Sequence, residues 1–259
     1  MDVLLTNDDG IDAVGIRAMY EALDEIADVT VIAPAEDQSA VGRQLSSRVD
    51  LYQHELGYAV KGTPTDCVVA AAGAFELEFD LVVSGCNRGA NLGEYVLGRS
   101  GTVSAAVEAT FFGIPAIAAS VYFPAGDLTY EEFNPTVDDF LEATRASRYL
   151  VEHGFEVGIF DTVDYLNLNA PLPANTGPAS MEITQPSHVY EMDANRTEDG
   201  GITITDRIWE LMAYDEIPDP PGTDRRAVVE GRISVSPLTA PHTSLDHAIL
   251  DRLAEDYGP

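Results

Sequence analysis

The sequence predicts an α/β protein: an open, mostly parallel β-sheet with helices on both faces, followed by a C-terminal β-hairpin extension. Two observations carry this. Through the first half of the 259 residues, short β-rich runs alternate with helix-patterned segments, the signature of a parallel sheet covered by helices. After Pro171 the texture changes to proline-, glycine- and charge-rich sequence with alternating apolar and polar runs, which read as hairpin strands projecting from the main body.

Taken in order, Val3, Leu4 and Leu5 make the first strand. A helix follows in which Ile16, Met19, Tyr20, Leu23 and Ile26 recur at three- and four-residue spacing, giving one buried face. Val29 to Ala33 is the second strand, stopped by Pro34. Tyr58, Ala59 and Val60 lead to Thr63-Pro64, a helix N-cap with proline at the first helical position. Leu81, Val82 and Val83 form another buried strand. Ser100 caps a helix carrying Val103, Val107 and Phe111 that ends at Gly113, and Ala116 to Val121 supply the next strand. A helix with Val137, Phe140, Leu141 and Thr144 on one face precedes the strand Tyr165 to Leu168. Beyond Pro171, Ile202-Thr203-Ile204-Thr205 reads as a hairpin strand. A strand at Ile233 to Ser236 and a helix with Leu245, Ala248, Ile249 and Leu253 close the chain. The predicted division is a core over residues 1–170 and an extension over 171–259 used for oligomerisation.

Composition narrows the function classes. There are 44 acidic and 14 basic residues, a formal charge of −30, yet 45% of residues are hydrophobic, enough to bury a core rather than leave a solvated, disordered chain. A surface this negative repels polyphosphate backbones and anionic lipid headgroups, which excludes a nucleic-acid polymer or a membrane as the expected partner. No run reaches the roughly 18 apolar residues of a membrane helix, and the start lacks the basic stretch of a signal peptide, so a cytoplasmic protein is expected. Cys67 and Cys86, the only cysteines, lie in apolar stretches without metal-binding spacing and read as buried free thiols. Lys61 is the single lysine. With so many carboxylates this predicts a protein that works in molar salt, where a Debye length near 3 Å screens the self-repulsion, and whose thermal stability rises with KCl.

In an open parallel sheet the ligand crevice lies beyond the carboxyl ends of the strands, and three unusual segments fall there. Thr6-Asn7-Asp8-Asp9-Gly10 places two carboxylates side by side at the tip of the first strand. Adjacent like charges cost energy unless a cation neutralises them, and oxygen ligands suit a hard divalent ion such as Mg²⁺, Mn²⁺ or Ca²⁺. Either aspartate could instead cap the next helix. After the second strand, Ser39 in Pro34-Ala35-Glu36-Asp37-Gln38-Ser39 is a candidate neutral oxygen ligand or a turn residue. The third segment runs Ser84-Gly85-Cys86-Asn87-Arg88-Gly89-Ala90-Asn91-Leu92-Gly93, then Ser100-Gly101-Thr102. Its glycines let backbone amides approach a ligand, and the capped helix start offers N–H groups to an anion; taken alone, the segment fits a plain capped helix behind a glycine-rich loop equally. A hard-metal site beside such a terminus is what cleavage of a phosphate ester needs. Arg88 and Arg99 are the nearby cations. The histidines at 54, 153, 188, 242 and 247 show no H-E-x-x-H spacing.

These segments, LLTNDDGI at 4–11, VIAPAEDQSA at 31–40, GTPTDCV at 62–68, LVVSGCNRGANLG at 81–93 and SGTVSAAVEA at 100–109, together with LNLNAPLP at 166–173 and GTDRRAVVEGRISVSPL at 222–238, resemble the SurE family of survival-protein nucleotidases. The resemblance implies a Rossmann-like core and a 5′-nucleotidase, a metal-dependent phosphatase that hydrolyses nucleoside monophosphates by attack of a metal-activated water on phosphorus. It implies one divalent ion, Mg²⁺ or Mn²⁺, on Asp8, Asp9, Ser39 and Asn87, with Asp8 and Asp9 as the catalytic pair. It places phosphate against Asn91, Ser100, Gly101 and Thr102, and it implies a homodimer or homotetramer built by exchange of C-terminal segments. Two departures from the family pattern are Val14, where proline is usual, and the stretch from Asn91 to Ser100, which is one residue longer and carries Tyr95 where an acidic residue is common.

Two other readings share the acidic start. A phosphoacceptor receiver module would need an aspartate at the third strand tip and a lysine near the fifth, and Lys61 alone does not supply them. A calcium-dependent nucleoside hydrolase would need a D-x-D-x-x-x-D-D cluster, which is missing.

Overall fold

The computed structural model describes residues 1–75, 77–124, 134–240, 242 and 248–257. Nine strands form one sheet in the order β3-β4-β2-β1-β5-β6-β7-β11-β8. In chain order these are β1 (Asp2–Thr6), β2 (Asp28–Pro34), β3 (Asp50–His54), β4 (Gly57–Lys61), β5 (Leu81–Arg88), β6 (Ala116–Val121), β7 (Tyr165–Ala170), β8 (Met181–Ile183) and, after a two-stranded hairpin of β9 (Met192–Arg196) and β10 (Ile202–Asp206), β11 (Ile233–Leu238). The ladder is parallel from β4 through β7; only β3 against β4 and β11 against β7 run antiparallel.

The helices are α1 (Val14–Leu23), α2 (Pro64–Ala74), α3 (Glu94–Leu97), α4 (Gly101–Phe111), α5 (Leu141–His153), α6 (Ile208–Ala213), α7 (Asp224–Val229) and α8 (Ala248–Tyr257). They cover both faces because the strands alternate. Val3 and Leu5 join Ile16, Met19, Phe140 and Leu150 in one core, under α1 and α5. Leu4 points the other way, to Val68, Ala71, Val103 and Ala106 of α2 and α4. At α2, Thr63 and Asp66 form a reciprocal capping box with Pro64 at the first helical position, as the dipeptide predicts.

Several elements differ from expectation. β3 is an unpredicted edge strand; four of its five residues are exposed, so it carries no apolar alternation to betray it. β5 continues through Asn87 and Arg88, with a register shift against β6 between Ser84 and Asn87, where the sequence suggests a loop. Val137 and Leu141 are exposed while Phe140 and Thr144 are buried. The segment begins as a 3₁₀ turn, Val137–Phe140, and the α-helix starts only at Leu141. In the final helix Ile249 and Leu253 are exposed, and Leu245 lies outside the described residues. Finally, β8 and β11 of the predicted extension are members of the main sheet, so the chain after Pro171 returns to the core as well as leaving it through the β9–β10 hairpin.

β1 has β2 on one side and β5 on the other. The chain therefore leaves β1 for one half of the sheet and later returns to fill the other. This is the switch point at which a crevice opens beyond the strand ends.

Candidate active site

Asp8 and Asp9 follow the last residue of β1. Asn7 shapes this exit by donating from its amide to the Gly10 carbonyl at 2.7 Å, and Gly10 has φ +96°, a conformation that L side chains rarely adopt. Asp8 is buried. Its carboxylate accepts the Thr102 hydroxyl at 2.5 Å and the Thr102 backbone N–H. Burial pushes its pKa up to about 6 against those hydrogen bonds, with the Asp37 carboxylate adding to the rise. Asp9 accepts the Arg88 backbone N–H at 2.8 Å. Burial and the neighbouring charge of Asp8 push it up to about 7, more than the N–H and charge of Arg88 pull it down.

The helix terminus predicted to receive an anion thus already faces one. Of the first N–H groups of α4, that of Thr102 goes to Asp8 and that of Val103 to the Ser100 hydroxyl oxygen at 3.0 Å. Gly101 is at its position because nothing larger fits: a Cβ there would sit 2.7 Å from the Cβ of Asp8. Ser100 and Thr102 are buried, and Ser100 further accepts the Ser104 hydroxyl on its carbonyl at 2.5 Å.

The loop after β2 folds over the carboxylates through a bond of 2.7 Å from the Gln38 N–H to the Asp8 carbonyl. Ser39 is exposed and donates both its N–H and its hydroxyl to Asp37 Oδ1, at 2.7 and 2.6 Å, which leaves the hydroxyl lone pairs for a cation. Asn87, nearly buried in the bulged end of β5, donates its amide to the Gly89 carbonyl at 2.5 Å, so its side-chain oxygen is the end left to bind.

Asn91 is buried and fixed from three directions. Its amide donates to the Ser120 hydroxyl at 2.9 Å, its N–H to Asn169 Oδ1 at 2.7 Å, and its carbonyl accepts the amides of Asn167 and Asn169 at 2.9 and 3.1 Å. Ser120, Asn167 and Asn169 sit on β6 and β7, and a reading from motifs assigns them no role. Their signal was present: asparagines inside a fully buried strand must find polar partners. Asp37 is the other omission, a third carboxylate near the pair. Arg88 brings its charge to bear on Asp9, whereas the Arg99 guanidinium lies 5.4 Å from the centre of the Tyr95 ring.

A divalent ion fits this donor set. A buried and a half-buried carboxylate, their pKa values raised by desolvation and mutual repulsion, are what a dication relieves, and neutral oxygens from Ser39 and Asn87 match a hard ion. Among the described residues no three His, Cys, Asp or Glu side chains are grouped to hold a metal.

The model of a family described as survival protein SurE matches residues 3–193. Over 257 residues the chain is 71% identical to the 5′-nucleotidase SurE of Natronomonas pharaonis, covering 99% of this chain and 100% of that one. It is 58% identical to the 5′-nucleotidase SurE of Haloquadratum walsbyi, covering 99% and 97%. The crystal structure of the SurE protein from Aquifex aeolicus superposes with a TM-score of 0.79 at 29% identity, with complete coverage of both chains.

Proposed function

The chain belongs to the SurE family, and on that premise we propose that it acts as a 5′-nucleotidase, hydrolysing nucleoside monophosphates to nucleoside and phosphate with one divalent ion, Mg²⁺ or Mn²⁺. The observation that carries this is the Asp8–Asp9 pair at the tip of β1, Asp8 buried and bonded to Thr102 at the start of α4, Asp9 half-buried and bonded to the Arg88 N–H, with carboxyl pKa values raised to about 6 and 7. Asp8, Asp9, Ser39 and Asn87 would hold the ion, which would supply charge neutralisation at a phosphoryl oxygen and a more acidic water beside phosphorus.

The protein's own groups do the rest. Thr102 orients Asp8 through two hydrogen bonds, so the α4 terminus sets the direction of the carboxylate. Asn91 and the Ser100-Gly101 turn are the candidate holders of the remaining phosphate oxygens, and their backbone is already fixed before substrate arrives. In a chain of charge −30, attraction of a dianionic substrate falls to local positive potential: the ion, the helix start and Arg88.

We place the protein in the cytoplasm, working in molar salt. Support comes from the two buried free thiols, from the near-absence of lysine among so many carboxylates, and from relatives in Haloquadratum and Halobacterium. Among the described residues no helix is long and apolar enough to cross a membrane. Assembly as a homodimer or homotetramer is supported by Ile202 and Ile204, exposed on the β9–β10 hairpin.

The test is phosphate release from a panel of nucleoside monophosphates in molar KCl, with Mn²⁺ or Mg²⁺ and again with EDTA. Metal-dependent release of phosphate is expected. Release of free base with phosphate retained on the sugar would mark a nucleoside hydrolase instead, and no release from folded, metal-supplied protein would refute the proposal.

A further inference from the structure

The stretch between Asn91 and Ser100 is held by a distant part of the chain. The Gly93 N–H donates to Asp224 Oδ2 at 2.7 Å, across 131 residues. The other oxygen of Asp224 accepts the N–H groups of Ser187 and Arg225, at 3.0 and 2.8 Å. The Glu94 N–H donates to the Ser187 carbonyl at 2.9 Å, and the Tyr95 hydroxyl donates to Asp206 Oδ2 at 2.5 Å. Leu92 is buried with Ile208, Met212, Ile217 and Val228. Four consecutive loop residues are therefore each fixed by the segment from 187 to 228.

Arg225 forms the floor. It is fully buried, its guanidinium paired with Asp219 at 3.2 Å, donating to the Val189 carbonyl at 3.1 Å, and 5.4 Å from the centre of the Tyr95 ring. Gly93 has φ +85°, and a Cβ there would lie 1.9 Å from Arg225 Nη2. The loop backbone rests on the guanidinium with no room for a side chain. From Tyr95 the α3 turn carries the constraint onward, since the Arg99 and Ser100 N–H groups donate to the Val96 carbonyl at 2.9 and 3.1 Å. Ser100 then caps α4 through its bond from the Val103 N–H.

We propose that Asp224 and Arg225 are positioning residues of the nucleotidase site: they fix Gly93 to Tyr95 and through them hold Asn91 and Ser100 at the spacing that binds phosphate. This rests on the nucleotidase reading for its substrate and on the contacts above for its geometry. The chain after Pro171 is then a part of the active site as well as an assembly element. Neither residue is among those that would hold the ion or the phosphate. Their loss weakens phosphate binding and leaves the Asp8–Asp9 cradle intact.

The experiment uses the full chain in molar KCl and compares the parent with Asp224→Asn, which keeps the shape but turns an amide toward the Gly93 N–H. Hydrogen exchange over residues 91–100, read by mass spectrometry, is expected to accelerate. The KM for AMP and the inhibition constant of inorganic phosphate are expected to rise about tenfold, the scale of one lost charge-assisted hydrogen bond, with kcat within about threefold and Mn²⁺ affinity unchanged. Unchanged exchange and an unchanged phosphate constant would overturn the proposal, as would equal losses in kcat and Mn²⁺ affinity, which would mark a general support of the fold. If Asp224→Asn fails to fold, Tyr95→Phe removes one loop anchor and keeps the ring on Arg225; a two- to threefold weaker phosphate constant with faster exchange supports the proposal, and no change in either overturns it. Should the parent release no phosphate from any nucleotide, the nucleotidase reading fails. Faster exchange in the variant would still support the anchoring by Asp224.

Discussion

Buried charge is handled in opposite ways on the two sides of the crevice. At the tip of β1, the hydrogen-bond partners of Asp8 and Asp9 are the Thr102 hydroxyl and backbone N–H groups, and Arg88 offsets only part of the repulsion, so both carboxyls stay well above their ordinary range. Beneath the Asn91–Ser100 loop, Arg225 is matched by Asp219, and Asp224 by three backbone N–H groups. Burial still raises Asp224, but those N–H groups and the charge of Arg225 pull it back. The first arrangement is short of positive charge and the second supplies its own. A site that must receive a cation has to leave its anions unneutralised in the folded chain, whereas a support has to complete its own pairing.

The contrast breaks if removing charge has the same consequence on both sides. The largest effect is expected for Asp8→Asn: kcat falls by about 10³-fold or more, the scale of several kcal/mol of lost charge stabilisation by an ion. Mn²⁺ binding measured by calorimetry is lost with it, while the metal-free protein melts no lower than the parent. For Asp219→Ala the opposite pattern is expected. Truncation strands the Arg225 guanidinium, which is fully buried, and should lower unfolding free energy by about 3–5 kcal/mol in denaturant titrations. Mn²⁺ affinity, measured below the melting transition, stays near the parent value. A destabilised Asp8→Asn, or an Asp219→Ala as stable as the parent, would remove the distinction.

The same contrast decides what could be read from sequence. Asp8, Asp9, Ser39 and Asn87 lie at strand ends in short segments whose composition is odd in itself, so they stand out as candidates where they are. Parallel strands at a switch point then bring those segments together. Asp224 and Arg225 were visible only as part of a late motif without a role, because the need they meet belongs to Gly93, 131 residues away from Asp224. Asn167 and Asn169 failed for the same reason. Their partner, Asn91, is on another strand end, and no periodicity connects them. The strand order that inserts β11 between β7 and β8 is likewise a long-range fact.

A smaller effect, on pH, sharpens the comparison further. Asp8 and Asp9 have folded-state pKa values raised above the ordinary carboxylate value of 3.8 to about 6 and 7, so between those limits the metal-free folded state binds more protons than the unfolded chain. Stability then falls as pH rises through this window: the cost is absent below about pH 4 and fully present above about pH 7. Acidifying the EDTA-treated protein from pH 8 to 5 should therefore stabilise it, by on the order of 2–4 kcal/mol from this coupled pair. Relief of repulsion across a chain of charge −30 acts in the same direction, as does the raised carboxyl of Asp224, so the slope of the parent alone is not diagnostic. The difference between parent and Asp8→Asn isolates the pair, because the substitution removes one titrating group and the chief charge acting on the other. It should flatten the slope in EDTA. Saturating Mn²⁺ should reverse the parent's trend toward greater stability at low pH, since protons and the ion compete for the same oxygens. Equal slopes for parent and variant in EDTA would mean that the carboxylates are already compensated in the folded chain, and the two sides of the crevice would then be alike.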